Sequence, residues 1–279
     1  MAEAELDEAE KRQQQRPLRR GMYVLPSLFT AGNIAAGFYA MTESLRGAGG
    51  DQRGFNHAAL AIGFAVMFDG IDGRVARMTD TSSDFGKEFD SLADVITFGV
   101  APSLLAYLWG VQSVLPSAYP LVQDRLHDLG IVVCFLFLIC GACRLARFNI
   151  SVNPQPRNPG MPGRKYFVGM PIPAGAGVVA AVVHYELGSP IYSVWMSGVW
   201  LALIAFTGFL MVSNWRFWSA KELNFAERQP VRGVLLLVVI LALVIRFSQY
   251  ALIIIAMVYL MSGVLARLAY SWGRRTAAK

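Results

Sequence analysis

The chain has 279 residues, 55% of them hydrophobic, with 25 Lys and Arg against 19 Asp and Glu and a mean hydropathy of +0.44. Its apolar residues fall in long blocks instead of amphipathic stripes, which argues against a soluble domain. The net charge of +6 sits at the ends of those blocks, so it points to membrane topology and not to a nucleic-acid partner.

Residues 1–20 are charged and Gln-rich, with no apolar run. No cleavable signal peptide is expected there; the segment reads as an amphipathic surface helix or as disordered. Eight apolar spans then follow, at roughly 22–44, 56–78, 87–110, 127–148, 167–187, 191–213, 232–248 and 250–270, each near the ~20 residues that cross a hydrocarbon core. A backbone in lipid must satisfy its own hydrogen bonds, so the spans predict helices, and they lack the alternation of barrel strands. The stretch Val234 to Ala266 is too long for one span, and Arg246 to Gln249 supplies a polar break. Assigned alternately to two sides, the connections and ends carry 5, 3, 5, 4 and 4 basic residues on one side and 2, 1, 0 and 1 on the other. That bias places both termini in the cytoplasm. The expected fold is an all-α, polytopic membrane helix bundle, with residues 21–279 forming one membrane domain.

Three minor features carry no function in this reading. Cys134, Cys140 and Cys143 share the fourth span, and Cys140-Gly-Ala-Cys143 lacks the βαβ surroundings of a redox motif. His57, His127 and His184 are scattered. Trp109, Trp195, Trp215 and Trp218 lie near span ends and read as an interfacial belt.

The informative stretch is FDGIDGRVARMTDTSSDFGKEFDSLADVITF, Phe68 to Phe98. Asp69 and Asp72 are three apart and share one helix face; Asp90 and Asp94 are four apart and share a face of the next helix. The turn-forming residues between them lie on the basic side, so the two helices meet as a hairpin with paired carboxylates facing each other. Four carboxylates at close range need compensation in a low dielectric. A bound cation supplies it, and all-oxygen ligation suits Mg²⁺ or Mn²⁺, ions that commonly serve phosphate chemistry. Gly70, Gly73 and Ala76 remove bulk where a diphosphate would approach, and Gly86 extends the opposite face. Ionisable groups inside a membrane are functional by default.

The pattern Asp69-x-x-Asp72-Gly73-x-x-Ala76-Arg77-x8-Gly86-x3-Asp90-x3-Asp94 resembles the signature of the CDP-alcohol phosphatidyltransferases without departure. Pro26-Ser-Leu-Phe-Thr30-Ala-Gly-Asn33, Arg144-Leu-Ala-Arg147-Phe148-Asn149 and Phe167-Val-Gly169-Met-Pro171-Ile-Pro173-Ala174 resemble segments of the branch whose acceptor is serine, the CDP-diacylglycerol–serine O-phosphatidyltransferases. The resemblance implies that Asp69, Asp72 and Asp90 are metal ligands and that Asp94 is a general base also near the metal. It places Thr30, Asn33, Asp69, Gly73, Ala76, Arg77 and Gly86 around the CDP-lipid. It further implies a homodimer that takes CDP-diacylglycerol and L-serine, in contact with membrane lipids, in a bacterial inner membrane with its site facing the cytoplasm.

Serine carries a carboxylate that needs a cationic partner. Arg144, Arg147, Arg164 and Lys165 cluster at the same edge, and of these Arg144, Arg147 and Lys165 are the candidates for binding the acceptor or a phosphate. Two alternatives stand beside this reading: the same reaction with glycerol phosphate, inositol phosphate or choline as acceptor, and an ion or metal transporter. A phosphate-bearing acceptor calls for a denser Arg pocket, and a transporter for inverted repeats that the sequence does not show.

Overall fold

The computed structural model describes residues 28–78, 84–114, 120–150, 166–218 and 246–277, with side-chain detail interrupted between Gly70 and Phe85 and ending at Tyr270. These residues are mostly helical. Helix α1 covers 28–48 and α2 covers Arg53–Met78. Helix α3 runs without a break through Asp84–Asp94, a π-helical stretch Val95–Val100, Ala101–Tyr107 and a second π stretch Leu108–Gln112. Then come α4 (Pro120–Ile150), β1 (Tyr166–Val168), α5 (Ile172–Tyr185), α6 (Val194–Val212), β2 (Arg216–Trp218) and α7 (Ser248–Ala277).

Among the described residues, four stretches are long and apolar enough to cross a membrane: Phe85–Gln112, Leu121–Ile150, Val194–Val212 and Ser248–Tyr270. They mark an integral membrane protein. The segment 1–20 and nearly all of the expected seventh span, 232–248, lie outside the described residues.

The helix over 167–187 starts later than expected, and a short two-stranded ribbon joins the mostly helical fold. Residues 166–168 form a strand that pairs antiparallel with β2, Phe167 opposite Phe217. Gly169 then turns the chain at φ +74°. A Cβ there would collide with the carbonyls of Met211 and Ser213 and press on the Arg147 guanidinium, so the turn requires glycine. Pro171 caps α5 and Pro173 sits in its first turn, where a missing N–H costs nothing. What remains is a helix of 14 residues, about 21 Å long and too short to span by itself. It forms the centre of the bundle, with Ile172, Ala176, Val178, Val179 and Val183 fully buried, and it packs on α2, α4, α6 and α7.

The π stretches of α3 have local causes. Pro102 lacks an N–H, and its ring excludes the carbonyl four residues back, Phe98, from a normal α turn. The chain widens just ahead of it, and the Ala101 N–H reaches Ile96 O instead. At the second π stretch the carbonyls are taken by α6: Trp200 Nε1 donates to Ala106 O at 2.9 Å and Ser197 Oγ to Gly110 O at 2.6 Å. Trp109, expected in the interfacial belt, is instead 1% exposed and packs edge-on to Trp200. Trp195, by contrast, is 87% exposed.

Candidate active site

Helices α2 and α3 are joined by five residues, so they run antiparallel, and the end of one meets the start of the other. There Asp69, Asp90 and Asp94 converge, with one ligand atom from each lying within 4.8 Å of the others. Asp69 and Asp90 are half-buried; Asp94 is buried. Asp72 lies one turn beyond Asp69 on α2, but its side chain, with those of Gly73, Ala76 and Arg77, is outside the described residues. Gly86 stands one turn before Asp90 on α3.

Three carboxylates this close cannot all ionise without a counter-charge. Their donor set is all oxygen and provides three ligand atoms. That fits a hard divalent ion, which keeps remaining positions for water or phosphate oxygens.

The two arginines that the sequence groups together do different things. Arg144 is 7% exposed. Its guanidinium lies 5.3 Å from the ring centre of Phe148 and 6.0 Å from that of Phe167, and it interacts electrostatically with Tyr259 and Asp94. Its Nε makes no hydrogen bond among the described residues. Arg147, by contrast, donates to the carbonyls of Val212 (3.1 Å), Val168 (3.3 Å) and Ser213 (3.4 Å) and to Asn214 Oδ1 (3.2 Å). It fastens the end of α4 to both strands' connections. Lys165 lies outside the described residues.

Helix α1 closes another side. The hairpin order makes α1 parallel to α3, and Gly37 lets the two backbones touch: a Cβ there would meet Thr97. Thr97 Oγ1 donates to Asn33 O at 2.9 Å. Thr30, one turn earlier, is 6% exposed, and Asn33 is 4% exposed. Neither Oδ1 nor Nδ2 of Asn33 has a hydrogen-bond partner among the described residues. A buried amide left so costs about 1–3 kcal/mol.

Some site features escape a reading of spacing alone. The π turn begins directly after Asp94, a placement frequent at functional sites; Pro102 was its visible sign. Tyr259, on distant α7, has none. Phe148, four residues after Arg144, was legible as a cation–π partner. Asn149 Nδ2 donates to Ser91 Oγ at 2.8 Å, tying the end of α4 to the acidic turn of α3.

The CDP-alcohol phosphatidyltransferase profile matches residues 23–189, a stretch that holds all four aspartates. The chain belongs to this family of transferases. Among its relatives are proteins named CDP-diacylglycerol–serine O-phosphatidyltransferase. The chain is 36% identical over 254 residues to that of Helicobacter pylori (strain ATCC 700392 / 26695), covering 88% of this chain and 91% of the relative. It is 32% identical over 196 residues to that of Bacillus subtilis (strain 168), covering 70% and 90%. Against that of Saccharomyces cerevisiae it is 34% identical over 153 residues, covering 54% and 50%.

Proposed function

We propose that this protein transfers the phosphatidyl group of CDP-diacylglycerol to the hydroxyl of L-serine, giving phosphatidylserine and CMP. The observation that carries the reading is the convergence of Asp69, Asp90 and Asp94 within 4.8 Å on two successive helices that bear the family signature. The names of the relatives support serine as acceptor.

Asp69, Asp72 and Asp90, with Asp94 beside them, would hold a divalent ion, Mg²⁺ or Mn²⁺, which would supply positive charge for the diphosphate and for departing CMP. The chain's own residues do the rest. Asp94 accepts the proton of the serine hydroxyl, a poor nucleophile while protonated. The serine oxygen bonds to the phosphorus that carries diacylglycerol, and the bond from that phosphorus to the CMP oxygen breaks. Gly73, Ala76 and Gly86 would leave room for the diphosphate, and Arg77 and Thr30 would stand at the same pocket. Arg144 and Lys165 provide positive charge for the acceptor's carboxylate, and Arg147 supports them by holding the β1–β2 connections.

The uneven distribution of Lys and Arg supports eight spans, both termini in the cytoplasm and the acidic hairpin at the cytoplasmic edge of a bacterial inner membrane. There a lipid enters sideways while serine and CMP exchange with water. The enzyme acts as a homodimer in this reading. Purified protein given CDP-diacylglycerol, labelled serine and Mn²⁺ or Mg²⁺ is expected to release CMP and form labelled phosphatidylserine. Product from glycerol phosphate, inositol phosphate or choline, with none from serine, would replace the acceptor.

A further inference from the structure

We infer that Asn33 is the specificity-determining residue that reads the amino-acid end of the acceptor, its side-chain amide bonding the ammonium and carboxylate of serine. The inference rests on the phosphatidyltransfer reading above and deepens it. Three observations carry it. Asn33 is 4% exposed, and both polar atoms of its amide lack partners among the described residues, so the fold holds them for something that arrives later. Its backbone is pinned, because Thr97 donates to its carbonyl at 2.9 Å. Finally, Thr97 lies one turn beyond Asp94 on α3, which sets Asn33 beside the turn that follows the proposed base.

Depth decides between the two ends of the reaction. Gly86 and Asp90 lie further toward the hairpin tip, where the diphosphate is expected, whereas Asp94 is the most buried of the three converging carboxylates. The hydroxyl that loses its proton must reach Asp94, so the rest of the acceptor extends beside the Asp94–Thr97 turn. Arg144 of α4 interacts with Asp94 across this turn, and Asn33 of α1 flanks it through Thr97. Serine is a zwitterion. A neutral amide, with one accepting oxygen and a donating nitrogen, matches an ammonium and a carboxylate without adding charge to a site that already holds three acids and an arginine. Pockets built to hydrogen-bond a group reject analogues that lack it.

The test is steady-state kinetics of full-length protein in vesicles containing CDP-diacylglycerol and Mn²⁺, with L-serine, ethanolamine (no carboxylate) and 3-hydroxypropanoate (no ammonium) as acceptors. Asn33→Leu, similar in size but apolar, is expected to raise the KM for serine about tenfold to a hundredfold. The KM for CDP-diacylglycerol should stay within about twofold, and the preference for serine over the two truncated acceptors should shrink. Asn33→Asp, which keeps an acceptor oxygen and loses the donor, should move the same way and covers the case in which the leucine variant fails to fold. A rise in the KM for CDP-diacylglycerol with serine unaffected overturns the inference and gives the amide to the nucleotide. Unchanged kinetics also overturns it, and with a lower melting temperature leaves Asn33 a structural role. Wild-type protein inert toward serine sinks the functional reading itself; an active wild type with an unmoved serine KM in the variants sinks only the role of Asn33.

Discussion

Asn56 and Asp69 lie 13 residues apart on α2, about 20 Å along the helix, and the polar groups around them are treated in opposite ways. Around Asn56 the polar side chains pair with one another. His184, 6% exposed, has Nδ1 at 2.7 Å from Asn56 Oδ1 and Nε2 at 2.9 Å from Ser248 Oγ. Asn56 Oδ1 can only accept, so Nδ1 carries the hydrogen and Nε2 accepts from the serine, and one ring joins α2, α5 and α7. Glu43 meets His57 at 3.1 Å and Arg46 at 3.4 Å, Arg46 reaches Asp51 at 2.8 Å, and Gln52 donates to Tyr192 at 2.6 Å. Around Asp69, carboxylates crowd together and the buried Asn33 amide and Arg144 Nε go without hydrogen bonds among the described residues. Most buried polar groups of a fold are satisfied within it, so a cluster left with capacity to spare is where a ligand is expected.

The contrast sets the order of expected effects. Asp94→Asn should cut kcat about 10²–10⁴-fold while CDP-diacylglycerol binding, followed by a vesicle-binding assay, is retained; lost binding with normal turnover of what does bind contradicts the base role. Chelation of divalent ions should abolish CMP release and Mn²⁺ should restore it. In Asp69→Asn and Asp90→Asn the half-maximal Mn²⁺ concentration should rise at least about tenfold, and an unmoved titration would separate these acids from the metal. Arg147→Ala should cost about 2 kcal/mol through carbonyls left unpaired, read as a lower melting temperature. Arg147→Lys should not restore it, because an ammonium cannot reproduce the planar fork. His184→Ala should cost about 1–3 kcal/mol of stability with kcat/KM for serine unchanged. A kinetic effect there would erase the distinction between the two ends.

Much of this arrangement was legible in the amino-acid order. The apolar blocks dictated helices because lipid leaves the backbone no other partners, and the spacing of Asp69, Asp90 and Asp94 foretold that they share two facing surfaces. What stayed hidden depends on pairing between distant segments. The strands β1 and β2 are three residues each and lie about fifty residues apart, too short to show alternation. Arg144 and Arg147 look alike at helical spacing. They diverge because Arg147 meets the carbonyls at 212–213 and at 168, whereas Arg144 is enclosed by Phe148 and Phe167. The isolation of the Asn33 amide follows from the register of α1 on α3, which no local pattern encodes.

The widened turn after Asp94 makes the acidic face of α3 sensitive to length as well as to chemistry. A stretch with i→i+5 bonding holds one residue more per turn than its neighbours, so Val95–Val100 acts as an angular offset between two rigid rods. Losing one residue from this stretch would let it close into regular α geometry with the two rods nearly in their present register, whereas losing one from the regular helix that follows it would swing one rod about 100° against the other. With Trp109 and the α6 contacts clamped in the core, Asp90 and Asp94 would then be the ones to rotate, away from Asp69. Where a single codon is lost would thus decide whether the constellation survives, although every one of its side chains is still encoded in both cases.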